Sequence, residues 1–598
     1  MILAADLTSR TECERLVSER TGLQPVFSGG QISALANPAC SCIRVADRGC
    51  ILGSLFRRHG PAEALAALQE GEPLALANGG GQTLIGSYWG GYVAAITKAE
   101  HTSILRDPSG TFSCYYVTAP GVAMFASDAE LLTACGIALD IDVEEVGRQL
   151  YRAFVPSPAT AVRGIHELLA GFELRFPSAM EIQQARWSPW DHVSDPGVPP
   201  VEAAERLART VCHCVQSWAS TRHRLLLSVS GGLDSSIVAA CFAKGGGDLV
   251  CLTMFTDDAA GDERPFARAL CDHLGLRLVE RPYRLEDIDI TEPLAAHLPR
   301  PRDRTQALAY ERMNLEVAAE VGADGFVTGN GGDNVMGYSQ SAAPIADRYL
   351  VEGVGEGLFR SLGDVCRQTG CSVFDAVRQA WRLAHGSPRH RIRPNALLLH
   401  PDFVRGLGMH ELCHPWLDPP ASALPGKSAH ISSILRAQPI LEAARGYYWP
   451  VFSPLVSQPL IEACLAVPSW EWRAGGRDRS LARRAFAAQL PPLVLNRRVK
   501  GTPGRFAARL LEHFRGPIRE RLLGGRLAEA GIVDPAAIGR LLADERPVPD
   551  LERVRILELV NAEAWMDHWF TRPATEPGPL SISGLFDGPP RLAGGPIP

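Results

Sequence analysis

The sequence predicts an α/β fold, in which a doubly wound parallel sheet with helices on both faces follows a β-rich N-terminal domain. Buried strands alternate with helices beyond residue 200, a pattern typical of parallel sheets, which bind ligands at the carboxyl ends of their strands. The predicted elements, in chain order, are a strand at 224–229, a helix at 234–242, a strand at 249–255, a helix at 263–274, a helix at 307–319 and a strand leading into GFVTG at 325–329.

The N-terminal part has a different pattern. Residues 84–132 alternate short apolar runs with glycine-rich turns, which predicts antiparallel strands joined by hairpins. At SDPGVPP the composition changes to proline and glycine, a helical pattern begins at Val201, and residues 359–569 are mainly helical. We therefore predict a first domain over 1–195, a second over 196–572 and a proline- and glycine-rich tail over 573–598.

The composition argues against several classes of protein. The chain of 598 residues carries a net charge of -6 and its arginines are spread along the sequence, so no nucleic acid is expected as a partner. Its 15 cysteines include no CxxC pair, which argues against a disulfide framework or a zinc ribbon. No signal-like segment opens the chain and no run of about 18 apolar residues occurs, so we expect a cytoplasmic protein with no membrane contact.

A glycine- and serine-rich turn, SVSGGLDSS (228–236), stands between the first predicted strand and its helix. Its glycines let the backbone approach a ligand, and the helix offers free N–H groups and the positive end of its dipole, so the turn is suited to phosphate. The hydroxyls of Ser230, Ser235 and Ser236 add donors. Asp234 would repel phosphate unless Mg2+ lay between them. The alternative is an ordinary turn between strand and helix.

No Walker A motif is present, since GKS at 426–428 lacks a glycine five residues before it. SGGLDSS instead resembles the PP-loop of the asparagine synthetase superfamily, whose members adenylate a carboxylate and release pyrophosphate. TGNGGDNVMGY (328–338) is similar to the family's TGEGSDELFGGY. The resemblance implies a sheet of the PP-loop ATP pyrophosphatase type, ATP and Mg2+ as cofactors, and Asp234 and Asp333 as the two Mg2+ ligands.

A basic segment over 477–501 is similar to the family's C-terminal basic stretch, and Lys500 falls on its active-site lysine. A cation there would stabilise charge on pyrophosphate and on a tetrahedral state. Alternatively, Lys500 with Arg497 and Arg498 forms a solvated basic face. The ATP-binding residues that the resemblance implies are Val229, Ser230, Gly231, Gly232, Asp234, Ser235, Ser236, Met254, Phe255, Thr328 and Gly329, of which the apolar ones have a plain core position as their alternative.

The N-terminal domain resembles the α+β glutaminase-like (Ntn) domain of the superfamily's amidotransferases, through RDPSG (106–110) and the later segments VAMFAS and DAELLTACG. Those enzymes take ammonia from glutamine with a cysteine that follows the initiator methionine. Here the second residue is Ile2, and Cys13 lies in a helical-looking segment. We therefore expect no glutamine hydrolysis and another amine as the nitrogen source.

The residues expected near the attacking amine and the substrate differ from those of the better-known family members. Asn330 stands where asparagine synthetases carry Glu and β-lactam synthetases carry Tyr, and an amide is no general base. The block YYWPVFSPLVSQPL (447–460), followed by PSWEWRAGGRDRSLARRAF, resembles the lasso-peptide macrolactam synthetases. Those enzymes join a peptide's α-amine to an Asp or Glu side chain. With a pKa of about 7.7–8.0, such an amine can attack an adenylate unaided.

The resemblance implies an ATP-dependent macrolactam synthetase that acts on a precursor peptide, together with a leader-binding protein and a cysteine protease of the same pathway. Further substrate-binding candidates are Asn330, Tyr447, Tyr448 and Trp449, with core packing as the alternative for the aromatic residues. Two further alternatives are an amide ligase of the asparagine or β-lactam synthetase type that uses a small-molecule acid, and a non-catalytic scaffold of a peptide-maturation complex.

A competing motif, MHELCHPW, contains His410, Glu411 and His414 in the HExxH spacing of zinc proteases. Pro415 follows the second histidine directly and favours the end of a helix there. No third ligand follows in a known pattern, so the sequence argues against zinc at this motif.

Overall fold

The computed structural model describes most of the chain. The predicted domain boundary near residue 195, the tail at 573–598 and Lys500 lie outside the described residues. Described are residues 1–5, 7–98, 101–119, 121–137, 140–153, 155–177, 182–193, 200–256, 261–387, 392–408, 412–497, 504–543 and 546–571.

The N-terminal part forms two antiparallel sheets that face each other. Their strands are β1 (Ile2–Ala5), β2 (Gln24–Gly29), β3 (Ile32–Ala36), β4 (Cys42–Arg44), β5 (Gly49–Arg57), β6 (Tyr88–Thr97), β7 (Thr102–Arg106), β8 (Tyr115–Ala119), β9 (Val122–Ala126), β10 (His166–Glu167), β11 (Phe172–Phe176) and β12 (Gln184–Ala185). The first sheet has the order β10-β8-β9-β1-β3-β2 and the second β12-β11-β7-β6-β5-β4. Side chains from both sheets, such as Phe125 and Leu174, share one core. The hairpins predicted within 84–132 are confirmed as β6 to β9, but the two ends of that range, 84–87 and 129–132, are helical.

Short helices flank these sheets. Asp128 and Asp142 begin two of them by accepting the backbone N–H groups of Leu131 and Glu145, which satisfies donors that the first helical turn leaves open. The helices of this part are α1 (Leu7–Thr21), α2 (Glu72–Gly79), α3 (Gly81–Ser87), α4 (Ala129–Ala134) and α5 (Val143–Tyr151).

The second part is built on a parallel sheet with the order β15-β14-β13-β16-β17. Its strands are β13 (Arg224–Ser228), β14 (Asp248–Phe255), β15 (Arg277–Pro282), β16 (Gly325–Val327) and β17 (Val451–Phe452), and its flanking helices are α6 (Pro200–Ala219), α7 (Leu233–Gly245), α8 (Arg264–Leu274) and α9 (Ala307–Val321). Leu225 of β13 packs with α7 on one face, whereas Leu226 packs with Met313 of α9 on the other. The doubly wound parallel sheet is therefore confirmed.

Beyond β16 the chain is mainly helical, as predicted, although β17 interrupts the helices and adds an edge strand to the sheet. No helix in the described part of the chain is long and apolar enough to cross a membrane. The remaining helices are α10 (Gly332–Val335), α11 (Ala343–Glu352), α12 (Glu356–Thr369), α13 (Val373–Ala384), α14 (Pro401–Gly406), α15 (Pro425–Ala437), α16 (Gln458–Leu465), α17 (Ser480–Ala485), α18 (Pro492–Leu495), α19 (Gly504–His513), α20 (Arg515–Gly524), α21 (Arg526–Glu529), α22 (Pro535–Ala543) and α23 (Asp550–Thr571).

The strand order reverses between β13 and β16, because the chain leaves β13 toward β14 on one side and returns to β16 on the other. Open parallel sheets bind ligands outside the carboxyl ends of the strands at such a switch point. The serine-rich turn and the segment that follows GFVTG both begin at this place.

Candidate active site

The turn at 228–236 connects β13 to α7 through a conformation that requires glycine. Gly231 has φ +62°, and a Cβ atom built on it would lie 2.2 Å from the Cβ atom of Phe266. Gly232 is extended and caps α7, and the Ser236 hydroxyl donates to its carbonyl at 2.7 Å. The N-terminus of α7 therefore lies at the carboxyl edge of the sheet, where a phosphate-binding turn offers its backbone N–H groups.

The loop at 328–332 lies against this turn. A Cβ atom on Gly329 would come within 2.7 Å of the backbone nitrogen of Ser235, and one on Gly332 within 2.6 Å of Cγ of Asp234. Glycine at both positions thus lets the two loops touch. This contact brings Asp333, the next residue, close to Asp234.

Both aspartates contact one arginine. Nη1 of Arg479 lies 2.6 Å from Oδ1 of Asp234, and the same nitrogen contacts Oδ1 of Asp333. Asp478 holds the other end of the guanidinium, with Oδ2 3.1 Å from Nη2. Burial opposes the charge of Arg479, but the carboxylates of Asp234, Asp333 and Asp478 outweigh burial and raise its pKa. The two carboxylates predicted to bind Mg2+ therefore converge on a single cationic atom.

A cavity of about 880 Å³ opens at this edge of the sheet. Gly231 and Ser236, two further predicted ATP-binding residues, belong to the turn but lie outside the lining, and Phe255 also lies outside it. The predicted residues that line the cavity are Val229, Ser230, Gly232, Asp234, Ser235, Met254, Thr328, Gly329, Asn330 and Asp333.

The cavity wall combines apolar and polar side chains. Leu252, Met254 and Val327 come from the sheet and give one part of the wall an apolar surface, which suits a nucleobase. Elsewhere the wall consists of polar and basic side chains from the helical part of the chain: Tyr338, Gln340, Arg367, Gln368, Arg477, Arg479 and Arg483.

Arg497 joins the basic segment to the serine-rich turn. It donates through Nη1 to the carbonyl of Ser230, pairs through Nη2 with Glu263 at 2.8 Å, and lies 4.1 Å above the ring centroid of Phe266. Its side chain is 9% exposed, so the solvated-face interpretation is wrong for this residue. Lys500 follows three residues later, outside the described residues, and its role stays a prediction.

Asn330 lies in the cavity wall with both of its nitrogens engaged. Its backbone N–H donates to Oγ1 of Thr328 at 3.2 Å, and its side-chain Nδ2 lies 3.4 Å from the carbonyl of Ile440. The amide therefore places no proton acceptor of useful basicity in the cavity.

The aromatic block lies elsewhere. Tyr447 and Tyr448 are 51% and 64% exposed and do not line the cavity, and the ring of Tyr447 lies 5.0 Å from that of His297. Trp449 packs against Phe326 beneath the sheet. The contact of these residues with a substrate stays a prediction.

The zinc-protease alternative fails at its described histidine. His414 is extended, precedes a short 3-10 turn and accepts the backbone N–H of Trp416 through Nδ1 at 3.1 Å, so no helix presents it as HExxH requires. His410 and Glu411 lie outside the described residues.

The cysteine nearest the N-terminus, Cys13, is buried in α1. Within the described ranges, no group of three or more His, Cys, Asp or Glu could hold a metal ion.

The turn, the two aspartates and the switch point define a protein of the PP-loop ATP pyrophosphatase fold, joined to an N-terminal part of two facing antiparallel sheets. Comparison with known proteins gives the family. The model of the family "Asparagine synthase" matches residues 206–567, which is more than half of the chain. The chain therefore belongs to the asparagine synthase family, whose members are ATP-dependent ligases that form C–N bonds.

Individual relatives are distant. The carboxyethyl-arginine beta-lactam-synthase of Streptomyces clavuligerus is 26% identical over 212 residues, 35% of this chain and 37% of that protein. The tRNA-specific 2-thiouridylase MnmA of Sphingopyxis alaskensis is 31% identical over 131 residues, 19% of this chain and 34% of that protein. The chain thus spans about a third of the length of these relatives. Among solved structures, glutamine phosphoribosylpyrophosphate amidotransferase from B. subtilis matches 50% of this chain and 76% of its own at 12% identity, with a TM-score of 0.17.

Proposed function

We propose that this protein is an AMP-forming ligase that closes a macrolactam. It adenylates an Asp or Glu side chain of a precursor peptide, releases pyrophosphate and joins the acyl group to the peptide's N-terminal amine. The convergence of Asp234 and Asp333 on one cationic atom fits a hard divalent cation, which takes one or two carboxylates and completes its shell with phosphate oxygens and water. Mg2+ bound by these aspartates would neutralise charge on the triphosphate.

The chain's own groups then bind and orient the reactants. The start of α7, Arg479 and Arg497 line the cavity, and their N–H and guanidinium groups would bind the phosphates there. The polar wall around Tyr338 and Gln368 would receive the acyl side of the substrate. Holding amine and acyl carbon together can supply several kcal/mol of the barrier, about 7–11 kcal/mol in the best cases.

One observation carries the choice of amine. The described cavity wall has no histidine, and each of its carboxylates is held by an arginine: Asp234, Asp333 and Asp478 by Arg479, and Glu263 by Arg497. With an amide at position 330, these residues supply no free general base, and the wall otherwise offers the phenols of Tyr283, Tyr310 and Tyr338. A phenol is ordinarily protonated at neutral pH and is then a poor proton acceptor. An amine that arrives neutral fits such a wall best, as about a third of α-amines do at pH 7.5, compared with about one lysine in a thousand.

Peptide-dependent exchange of pyrophosphate into ATP tests this proposal. We expect exchange with a candidate precursor peptide, and the ring product after longer incubation. An N-acetylated peptide should support exchange but form no ring, because only its amine is blocked. A peptide with Asn or Gln at the acceptor position should support neither. Ring formation by the N-acetylated peptide would contradict the proposed amine.

A second candidate, ring closure on a small-molecule acid, is favoured by the similarity to the beta-lactam-synthase over 35% of the chain. Carboxyethyl-arginine is the probe for it, and aspartate with ammonia is the probe for an asparagine synthetase activity. Efficient exchange with either compound and none with peptides would replace the peptide assignment. A protein that supports no exchange with any of these acids would instead be a scaffold, acting with the leader-binding protein and cysteine protease that we propose as partners.

A further inference from the structure

We infer that Arg479 competes with the divalent cation for Asp234 and Asp333, and so makes metal binding dependent on nucleotide. This inference rests on the proposed role of the two aspartates. In this inference Arg479 is a positioning residue that determines when the metal site becomes available. Its effect can be measured by metal binding alone as well as in the complete reaction.

The contacts place the guanidinium where a metal would have to bind. Nη1 of Arg479 contacts Oδ1 of Asp234 at 2.6 Å and Oδ1 of Asp333, so one nitrogen bridges both carboxylates. A cation that bridges the same oxygens cannot share them at hydrogen-bond distance with this nitrogen. Binding of the metal therefore requires the guanidinium to withdraw.

The backbone and the neighbours of Arg479 hold it in this position. Arg479 has φ +48° and ψ +40°, a left-handed conformation that is uncommon outside glycine, and it caps the N-terminus of α17. Its guanidinium also lies 5.7 Å from the ring centroid of Tyr338. The side chains of Arg479 and Asp234 are 11% and 14% exposed, so solvent screens this pair only weakly, whereas Asp333 is 43% exposed and its pair is screened more.

Asp478 gives the guanidinium a third carboxylate partner. Its Oδ2 lies 3.1 Å from Nη2, on the opposite end of the group from the nitrogen that bridges the aspartates. When a metal takes Asp234 and Asp333, Asp478 can still retain Arg479 inside the cavity. A metal ion that binds alone must displace the guanidinium of Arg479 from two carboxylates, and the guanidinium gains no new partner. A metal ion that binds together with a polyphosphate brings anionic oxygens, which can contact both the metal and the guanidinium.

Binding of Mn2+ to the full chain, followed by electron paramagnetic resonance without nucleotide, tests the competition. We expect Arg479→Gln to bind Mn2+ at least about tenfold more tightly than the wild type, because a positive charge next to both ligands is gone. Arg477→Gln is the matched control. Arg477 lines the same cavity but bonds to Asn496 and the carbonyl of Leu495, so its loss should change Mn2+ affinity far less.

A second readout separates competition from a merely structural role. Mn2+ should raise the melting temperature of Arg479→Gln, because it replaces the missing cation between two carboxylates, and should leave the wild type nearly unchanged at the same concentration. If Arg479→Gln does not fold, Arg479→Lys serves, since it keeps the charge but loses the planar bridge. It should bind Mn2+ about threefold more tightly than the wild type.

The outcomes distinguish this inference from the proposed function. Adding Asp234→Asn to Arg479→Gln should abolish the gained Mn2+ binding. Unchanged affinity in Arg479→Gln, or in Arg479→Lys where that variant is used, would overturn the competition and leave the metal role of the aspartates standing. Gained affinity that survives the loss of Asp234 would instead contradict the proposed metal site itself.

Discussion

Two of the clusters of arginine and carboxylate in the described part of the chain differ in what surrounds them. One is closed inside the protein where the N-terminal sheets meet the helical part, and its side chains are 4–6% exposed. The other faces the cavity, where the side chain of Asp333 is 43% exposed. The closed cluster consists of Arg106, Glu167, Arg300, Arg302 and Glu442.

Both carboxylates of the closed cluster are paired with arginines inside the protein. Glu442 pairs with Arg302 and accepts the Tyr115 hydroxyl at 2.6 Å, while Arg300 pairs with Glu167. Burial alone would raise the pKa of Glu442, but Arg302 and Arg300 outweigh burial and lower it. These residues are buried and do not line the cavity, and their contacts join the N-terminal sheets to the helical part.

The cavity cluster has the same chemistry but can exchange partners. Arg479 shares its charge among Asp234, Asp333 and Asp478, and a ligand entering the cavity reaches these groups directly. The comparison teaches that closure to solvent, more than residue type, separates an ion cluster that supports the fold from one that can bind a ligand.

The largest expected effect is on the cavity cluster. Asp234→Ala and Asp333→Ala should each lower ATP–pyrophosphate exchange by more than about 10³-fold, because each removes a ligand of the proposed Mg2+. Exchange assays with matched melting curves measure this effect. Appreciable exchange by either variant in its folded form would contradict the role of the cavity cluster in metal binding.

A substitution in the closed cluster should lower the free energy of unfolding. Glu442→Gln leaves the buried charge of Arg302 without its carboxylate and should cost about 3–5 kcal/mol of unfolding free energy. Denaturant titration measures the cost. Exchange per folded molecule should change little, because the cluster lies outside the cavity lining. Glu280→Gln, which breaks the pair with the half-exposed Arg268, is the control and should cost at most about 1 kcal/mol.

A smaller effect is expected for the predicted lysine. Lys500→Ala should leave nucleotide binding intact and slow the chemical step about 10²-fold, as the loss of one group that stabilises transition-state charge does. Equilibrium binding of ATP and single-turnover rates separate the two quantities. A variant that turns over at the wild-type rate would remove this role from Lys500.

The pH dependence should be smaller still and confined to one step. The α-amine attacks as the neutral form, so ring formation should fall about tenfold per pH unit below the amine pKa of about 7.7–8.0 and level off above it. Exchange, which does not use the amine, should not follow this curve. A ring-formation rate that is flat between pH 6 and 8 would indicate a proton acceptor in the site.

The smallest effect should come from the N-terminal part. Cys13→Ala removes a buried thiol of α1 and should cost about 1 kcal/mol of stability without changing product formation. Comparison of ring yield at equal folded concentration measures this. Loss of product in the folded variant would mean that this part of the chain takes a direct share in the chemistry.

Local pattern predicted the elements that carry the site. The order of strands and helices from β13 to α8 follows from apolar runs separated by glycine turns. The glycines and serines at 228–236 predict a turn directly after the first strand. The helix over 307–319 and the mainly helical region after residue 359 follow from the same periodicity. These features depend on residues that are close in the sequence.

Arg479 and β17 were not predicted, because they depend on distant contacts. The segment RDRSLARR offers several arginines with the same local signal, and only the left-handed backbone at Arg479 and the packing of α17 direct this one to the aspartates. β17 comprises only Val451 and Phe452, and its strand form comes from pairing with β16, more than a hundred residues earlier. The aromatic residues before it predict a substrate surface instead.

Transfer of a labelled oxygen tests the central claim most directly. If Asp234 and Asp333 support adenylation, a peptide whose acceptor carboxylate carries ¹⁸O should yield AMP with one labelled oxygen, together with unlabelled pyrophosphate. Mass spectrometry of the quenched reaction distinguishes these products. Labelled inorganic phosphate accompanied by ADP would mean that an acyl phosphate forms, and would contradict the assignment of this site as an adenylating centre.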